Sequence, residues 1–315
     1  MNEKILLEKL KRLEQKYAAS GQNLESYLDG LYEADFLNYW DYIHLDTLLS
    51  LQVKRTTLPD EEIFIIYHQI TELYFRLMLV ELEQICQQEN PGTDFLISRL
   101  NRVNRYVRTL VQSFKVMSEG MDPEQFMRFR MALMPASGFQ SVQYRCIELI
   151  CTDVDNLVEQ DLKQTMHTAD LEKKMTGLYW RFGSTDLRTG EKTLTLRRFE
   201  EKYDIFLLDF ARRHQTKNLR RIVTAQMKAG PLPEPLLATL RELDFNINLA
   251  WRSAHLQSAN RYLKKPDGAV ESTGGTNWRQ YLPPKMQKII FFPELWSEDE
   301  WYNWGRLAEH GEEKN

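Results

Sequence analysis

Two histidines and an arginine stand in surroundings that could do chemistry. His255 sits in Trp251-Arg252-Ser253-Ala254-His255, about two thirds of the way along a helix expected from Pro235 to about Lys265. His68 lies far upstream in Phe64-Ile65-Ile66-Tyr67-His68-Gln69, also on an expected helix. Arg130 follows Phe129 shortly before the helix break at Pro135-Ala136-Ser137-Gly138-Phe139-Gln140. One imidazole can ligate a haem iron axially, another can meet a substrate on the opposite face, and a planar guanidinium can grip a carboxylate with two parallel bonds. That combination points to oxygen chemistry on an amino acid.

Each of these residues has a plainer reading. Phe64 and His68 are four apart and share a helix face that continues through Thr71 and Phe75. A histidine on such a face can simply be a core residue bonded to a backbone carbonyl. Phe126 and Arg130 share a face in the same way, and Arg130 could serve only a salt bridge. His255 has Trp251 one turn before it and no HxxxH or ExxH companion, so the pattern disfavours zinc and di-iron sites. A haem needs a single protein imidazole, because the porphyrin supplies four nitrogens. Ser137-Gly138 places a hydroxyl and a small residue between two helices, and Thr273-Gly274-Gly275-Thr276 could close over a site as a lid. That glycine pair lacks the GxxxxGK pattern of a phosphate loop.

The elements that must position these residues read as helices. Leu6, Leu10, Leu13 and Tyr17 form one stripe within residues 1–20. An aromatic stretch follows, with Tyr27, Tyr32, Phe36, Tyr39, Trp40 and Tyr42, and then a helical period from Leu45 to Gln52. Ile63, Ile66, Ile70, Leu73, Leu77 and Val80 recur at three- and four-residue steps in a helix from about Asp60 to Gln88. Another helix is expected from Thr93 to Glu119. Asp122-Pro123 has the form of an N-cap with proline in the first turn. Its helix must stop near Pro135, and a separate one is expected from Phe139 to Asp155. Residues 156–232 are charged and less readable. The fold class is all-α, with one helical domain.

Composition narrows the function. Lys+Arg 41 against Asp+Glu 45 gives a formal charge of −4, which argues against nucleic acid and against a polybasic membrane anchor. No apolar run approaches the roughly 20 residues of a membrane span. Met1-Asn2-Glu3-Lys4 opens an amphipathic helix and lacks the apolar core of a signal peptide. Cys86, Cys146 and Cys151 form no CxxC pair and no disulfide framework, so a reduced, cytoplasmic protein is expected.

Four ordered blocks resemble the tryptophan 2,3-dioxygenase family of haem enzymes. They are Tyr39-Trp40-Asp41-Tyr42 with Leu45 to Gln52; Asp60-Glu61 through Phe64, His68-Gln69 and Glu72-Leu73; Phe126 through Arg130 and Pro135–Ser141 to Arg145; and Trp251-Arg252 through His255, with Thr273-Gly274-Gly275 downstream. The resemblance implies heme b (iron) as cofactor, with His255 as its proximal ligand and Ser137 and Trp251 in contact with it. It implies that His68 accepts a hydrogen bond from the substrate's indole N–H, that Arg130 binds the α-carboxylate, and that Thr273 contacts the substrate as the lid closes. Phe64 and Phe126 would wall the indole. Tyr39 and Tyr42 would come from a neighbouring subunit of a homotetramer, with residues 1–50 as an N-terminal helical arm for subunit contacts and 156–232 as a variable helical insert. The implied reaction inserts O2 into the indole C2–C3 bond of L-tryptophan to give N-formylkynurenine. The lid departs from the family's run of small residues, since Trp278 follows Thr276-Asn277. The alternatives are a haem enzyme that mono-oxygenates or hydroxylates another aromatic amino acid (a substituted tryptophan or a tyrosine), and a non-catalytic haem-binding protein.

Overall fold

The structure, a computed structural model, describes residues 2–35, 37–185, 189–265, 268–269, 283–284 and 287–305. It is all-α apart from a two-residue pairing of Lys264–Lys265 with Gly268–Ala269. The chain divides into two compact units, Met1–Val53 and Lys54–Asn315.

The first unit holds α1 (Glu3–Ala18), α2 (Leu24–Glu33), α3 (Tyr39–Tyr42) and α4 (Leu45–Leu48). Asn2 and Asn23 cap α1 and α2 by accepting from Lys4 N and Glu25 N. Tyr17 stacks on Tyr27 at 4.0 Å and joins the two helices. No residue of these four helices is buried. The apolar stripe of α1 is therefore not core.

The second unit is organised by two long helices, α5 (Asp60–Gln87) and α6 (Thr93–Ser118), which pack along each other after a short turn through Pro91-Gly92. The inner stripe of α6 is Leu96, Leu100, Val103, Val107, Leu110, Phe114 and Met117, all buried, at alternating steps of four and three. On α5 the buried residues include Tyr67, Thr71, Phe75, Met78, Leu79, Leu82 and Ile85, while the stripe from Ile63 to Val80 faces outward. By length and composition α5 could cross a membrane. Its buried face includes Glu81, which is paired with Arg99 at 3.1 Å and Arg102 at 2.8 Å.

Three further features position the site. Asp60, at the start of α5, accepts from Asp122 N at 2.6 Å, and Asp122 itself caps α7 (Pro123–Phe129). The N-termini of α5 and α7 are thereby tied, which sets the distance between their side chains. After α7 a 3-10 turn, Arg130–Leu133, leads into the Pro135 segment, so Arg130 begins that turn instead of sitting inside a helix. Residues 138–157 form a 3-10 turn, α8 (Val142–Cys151) and α9 (Val154–Leu157), in place of the one expected helix, because Ser141 caps α8 by accepting from Tyr144 N.

Downstream come α10 (Lys163–Met166), α11 (Leu171–Thr176), α12 (Tyr179–Phe182), α13 (Leu194–His214) and α14 (Leu219–Ala229). Leu171, Met175, Trp180, Leu196 and Phe199 belong to the same core cluster as α5 and α6, so residues 156–232 are packed into the second unit. The helix expected from Pro235 to Lys265 is three segments: α15 (Glu234–Phe245), a π-helical stretch Asn246–Trp251, and α16 (Arg252–Leu263). The π turn follows from anchoring on both sides. Asn248 Nδ2 donates to Asp244 at 2.7 Å, and Arg252 Nη1 donates to Gln287 O at 2.8 Å. A wider turn rotates the downstream residues by roughly 100° relative to a continuous α-helix, and so redirects His255. A last short helix, α17 (Glu298–Tyr302), closes the described chain.

Asp244 ties this region to the C-terminal segment. Its carboxylate accepts from Phe291 N at 2.9 Å, Phe292 N at 3.1 Å and Trp296 Nε1 at 3.0 Å. Burial pushes its pKa up to about 6 against these bonds. The folded state therefore binds this proton more tightly than the unfolded chain. The associated stability is full below about pH 4 and is lost as pH rises through about 6. The stability deficit of Asp244→Asn is expected to widen by about 1 kcal/mol between pH 7 and pH 5. Denaturant titrations at both values check this; a deficit that does not move with pH would count against it.

Candidate functional site

The second unit encloses a cavity of about 310 Å³, within the range of small-molecule sites. Its wall includes seven of the residues singled out from sequence: Phe64, His68, Phe126, Arg130, Ser137, Trp251 and His255. They come from α5, α7, the turns on either side of Pro135, the π segment and α16, and only the packing brings them together. Tyr39 and Tyr42 lie in the first unit, 71% and 75% exposed. Thr273 falls outside the described residues.

On the α5 side the rings interlock. The Phe64 ring lies 4.1 Å from the His68 imidazole, 6.2 Å from Phe126 and 5.8 Å from Phe129. His68 Nδ1 stands 2.7 Å from Phe64 O. A carbonyl oxygen only accepts, so Nδ1 must carry the proton. Burial lowers the pKa of His68, with the Phe64 carbonyl and Glu72 acting the other way. The neutral ring that results has its lone pair on Nε2, free to accept from a donor in the cavity. The bond to a backbone carbonyl is the one that the plainer reading expected, and it is also what sets the tautomer.

Arg130 is buried, 4% exposed, and burial lowers the pKa of its guanidinium. A carboxylate brought into the cavity would offset that desolvation. Arg128, two residues away, is exposed.

Across the cavity, Phe114 lies 5.7 Å from the His255 ring at an interplanar angle of 22° and 4.6 Å from Trp251. Burial among these rings, followed by the influence of His68 and Arg252, pushes the His255 pKa down to about 4. The imidazole is uncharged near pH 7, the form in which it ligates a metal. Among the described residues no three His, Cys, Asp or Glu side chains converge as a metal site.

A further part of the wall is polar, and sequence reasoning missed it. Arg145 Nη1 donates to Glu148 Oε2 at 2.6 Å and to the Tyr179 hydroxyl at 3.1 Å, and Tyr179 in turn donates to Glu148. The Tyr144 hydroxyl, Arg145 Nε and the Ser184 hydroxyl are buried without a hydrogen-bond partner among the described residues. Leaving such a group unsatisfied costs about 1–3 kcal/mol, so this wall suits a ligand that brings acceptor oxygens. A haem does so through its two propionates, and it needs one neutral imidazole and an aromatic slot. The residues present fit a haem. Tyr144 and Arg145 lie at the end of the Pro135–Arg145 block and could have been marked from it. Tyr179, Trp180 and Ser184 carry no local pattern that would have marked them.

Comparison with known proteins agrees with this geometry. The family model for tryptophan 2,3-dioxygenase matches residues 30–177. The tryptophan 2,3-dioxygenase of Pseudomonas fluorescens is 32% identical over 84% of this chain and 90% of its own length. Those of Polaromonas naphthalenivorans (strain CJ2) and Ruegeria sp. (strain TM1040) are 30% and 29% identical, over 82% and 84% of this chain and 90% and 92% of their own. With the similarity running along most of both chains, and the matched region carrying the α5, α7 and α8 walls of the cavity, this chain belongs to the tryptophan 2,3-dioxygenase family of oxidoreductases.

Proposed function

We propose that this enzyme is a heme b-dependent dioxygenase that inserts both atoms of O2 across the indole C2–C3 bond of L-tryptophan and yields N-formylkynurenine. One observation carries the reading. The 2.7 Å contact to Phe64 O leaves His68 a neutral acceptor in the same cavity as Arg130 and His255. His255 would hold the haem, with Ser137 and Trp251 against it, and the bound haem would supply the O2 chemistry. The chain's own groups orient the substrate. The Arg130 fork takes the α-carboxylate, and His68 Nε2 accepts from the indole N–H. Phe64 and Phe126 wall the ring and exclude water. Fixing both ends of the substrate can contribute up to about 7–11 kcal/mol of barrier reduction. His68 holds the indole proton in place without having to remove it.

Thr273, outside the described residues, would contact the substrate. Tyr39 and Tyr42 would complete the site from a neighbouring subunit of a homotetramer, a reading supported by the absence of any buried residue in α1–α4. The three cysteines are free and buried, which is in keeping with a reduced, cytoplasmic protein.

His68→Ala is expected to lower turnover up to about tenfold, the worth of one neutral hydrogen bond, with haem content unchanged. Haem loss in that variant would count against His255 as the residue that holds the haem. The direct test is anaerobic reduction of the haem-loaded protein, then oxygen with L-tryptophan. Formylkynurenine absorbance and a product mass raised by two oxygens are expected. A gain of one oxygen without ring cleavage would instead establish mono-oxygenation, and the lack of any Soret band after reconstitution would end the haem reading.

A further inference from the structure

The helix that carries His255 is interrupted one turn before it, by the π turn at Asn246–Trp251. Such turns are rare, because the continuous α-helix is the ordinary form of a helical sequence, and they need support from outside the helix. Here the support centres on Asp244. Its carboxylate is fully buried, and each oxygen takes two donors. Oδ1 accepts from Asn248 Nδ2 at 2.7 Å and Phe291 N at 2.9 Å, and Oδ2 from Phe292 N at 3.1 Å and Trp296 Nε1 at 3.0 Å. The first of these bonds spans the start of the π turn. The other three hold the C-terminal segment beside it.

That segment also grips the turn directly. Leu249, inside the turn, packs with Ile290 and Trp304. Trp304 Nε1 donates to Ile289 O at 3.0 Å, and Thr152, just past α8, fastens the segment by donating to Phe291 O at 2.7 Å.

Asn248 shows what the arrangement serves. It is 1% exposed, and its Oδ1 has no hydrogen-bond partner among the described residues. A buried acceptor without a donor is destabilising, and a leucine of similar size would avoid that cost. What the amide contributes is its NH2 group, which ties the turn to Asp244. One residue fewer in the turn would swing the helix beyond it by about 100°. His255 lines the cavity in the present setting, and an α-helical turn would carry it off that wall.

We infer that Asp244 and Asn248, neither of which lines the cavity, are positioning residues for His255: they hold the π turn, and the turn aims the imidazole into the cavity. This deepens the proposed function and rests on its reading of His255 as the residue that holds the haem.

The test uses the full chain loaded with haem. Asn248→Leu removes the unpartnered oxygen together with the tie, so its melting temperature is expected to hold or rise. Its haem dissociation constant is expected to rise about 10–100-fold, the range for residues that orient a metal's ligands. The iron–histidine stretching band of the ferrous protein is expected to shift or split. The same substitution in His255→Ala supplied with imidazole separates aiming from general support. Free imidazole needs no aiming by the helix, so in that background Asn248→Leu should change neither haem affinity nor the iron–imidazole band. Equal losses in both backgrounds would make Asn248 merely structural and overturn the proposal. An unchanged affinity and an unshifted band in Asn248→Leu alone would overturn it too. Should that variant fail to fold, Asp244→Asn, which turns an amide NH2 toward two of the four donors, carries the same comparison. A native spectrum in His255→Ala without imidazole would instead overturn the reading of His255 beneath it.

Discussion

Arg130→Ala is expected to lower kcat/KM for L-tryptophan by roughly 10²–10⁴-fold, the equivalent of the ~3–5 kcal/mol lost when one partner of a buried charge pair is removed. The guanidinium is almost fully buried and its pKa is already lowered by that burial. Removing it leaves the substrate's carboxylate to enter the cavity without a counter-charge. The apparent KM should rise, and turnover should fall too, because an unclamped indole no longer keeps C2 and C3 in the reacting position. Arg130→Lys restores the charge without the planar fork, so it should recover only part of the loss. Tryptamine, which lacks the carboxylate, separates the clamp from general damage: its slow turnover should be the same in wild type and Arg130→Ala. Unaltered KM and kcat for L-tryptophan in the alanine variant would remove Arg130 from the binding site.

The other large effect is expected at His255. His255→Ala should bind haem more weakly by at least the ~10–100-fold that loss of a mere outer-shell partner costs. The readouts are haem per chain after gel filtration and the position of the Soret band. Added imidazole, small enough for the vacated space, should restore part of the native spectrum if the fold survives. Secondary structure is expected to persist, because the His255 ring sits on a cavity wall between Phe114 and the open space. Full haem content with an unchanged spectrum would mean that another residue ligates the iron.

The helical class and the bounds of the two longest helices could be read from the chain, because 3.6-residue periodicity and caps are local properties. The helices expected at Asp60–Gln88 and Thr93–Glu119 are found at Asp60–Gln87 and Thr93–Ser118. Asp122 caps α7 through Glu124 N and Gln125 N, as Asp122-Pro123 implied. Which face of α5 is inside could not be read. Its sequence carries two apolar stripes, one through Tyr67, Thr71 and Phe75 and one through Ile63, Ile66 and Ile70, and periodicity ranks them equally. The polar wall at Tyr144, Arg145, Tyr179 and Ser184 was equally hidden, since it joins residues about 40 positions apart without any local motif.

By itself, then, the chain determined its all-α class, the long helices, the residue types gathered around His68, Arg130 and His255, and a family resemblance that the comparisons bear out. These depend on neighbours a few positions away or on strings of residues. Only the tertiary structure decided that seven of those residues share one cavity, that a π turn directs His255 toward it, and that the second stripe of α5 faces outward. The reason is physical. The ring nitrogen that keeps its lone pair, the burial that neutralises an imidazole, and the face of a helix that meets the core are all set by what other segments bring alongside. Local spacing carries no record of that.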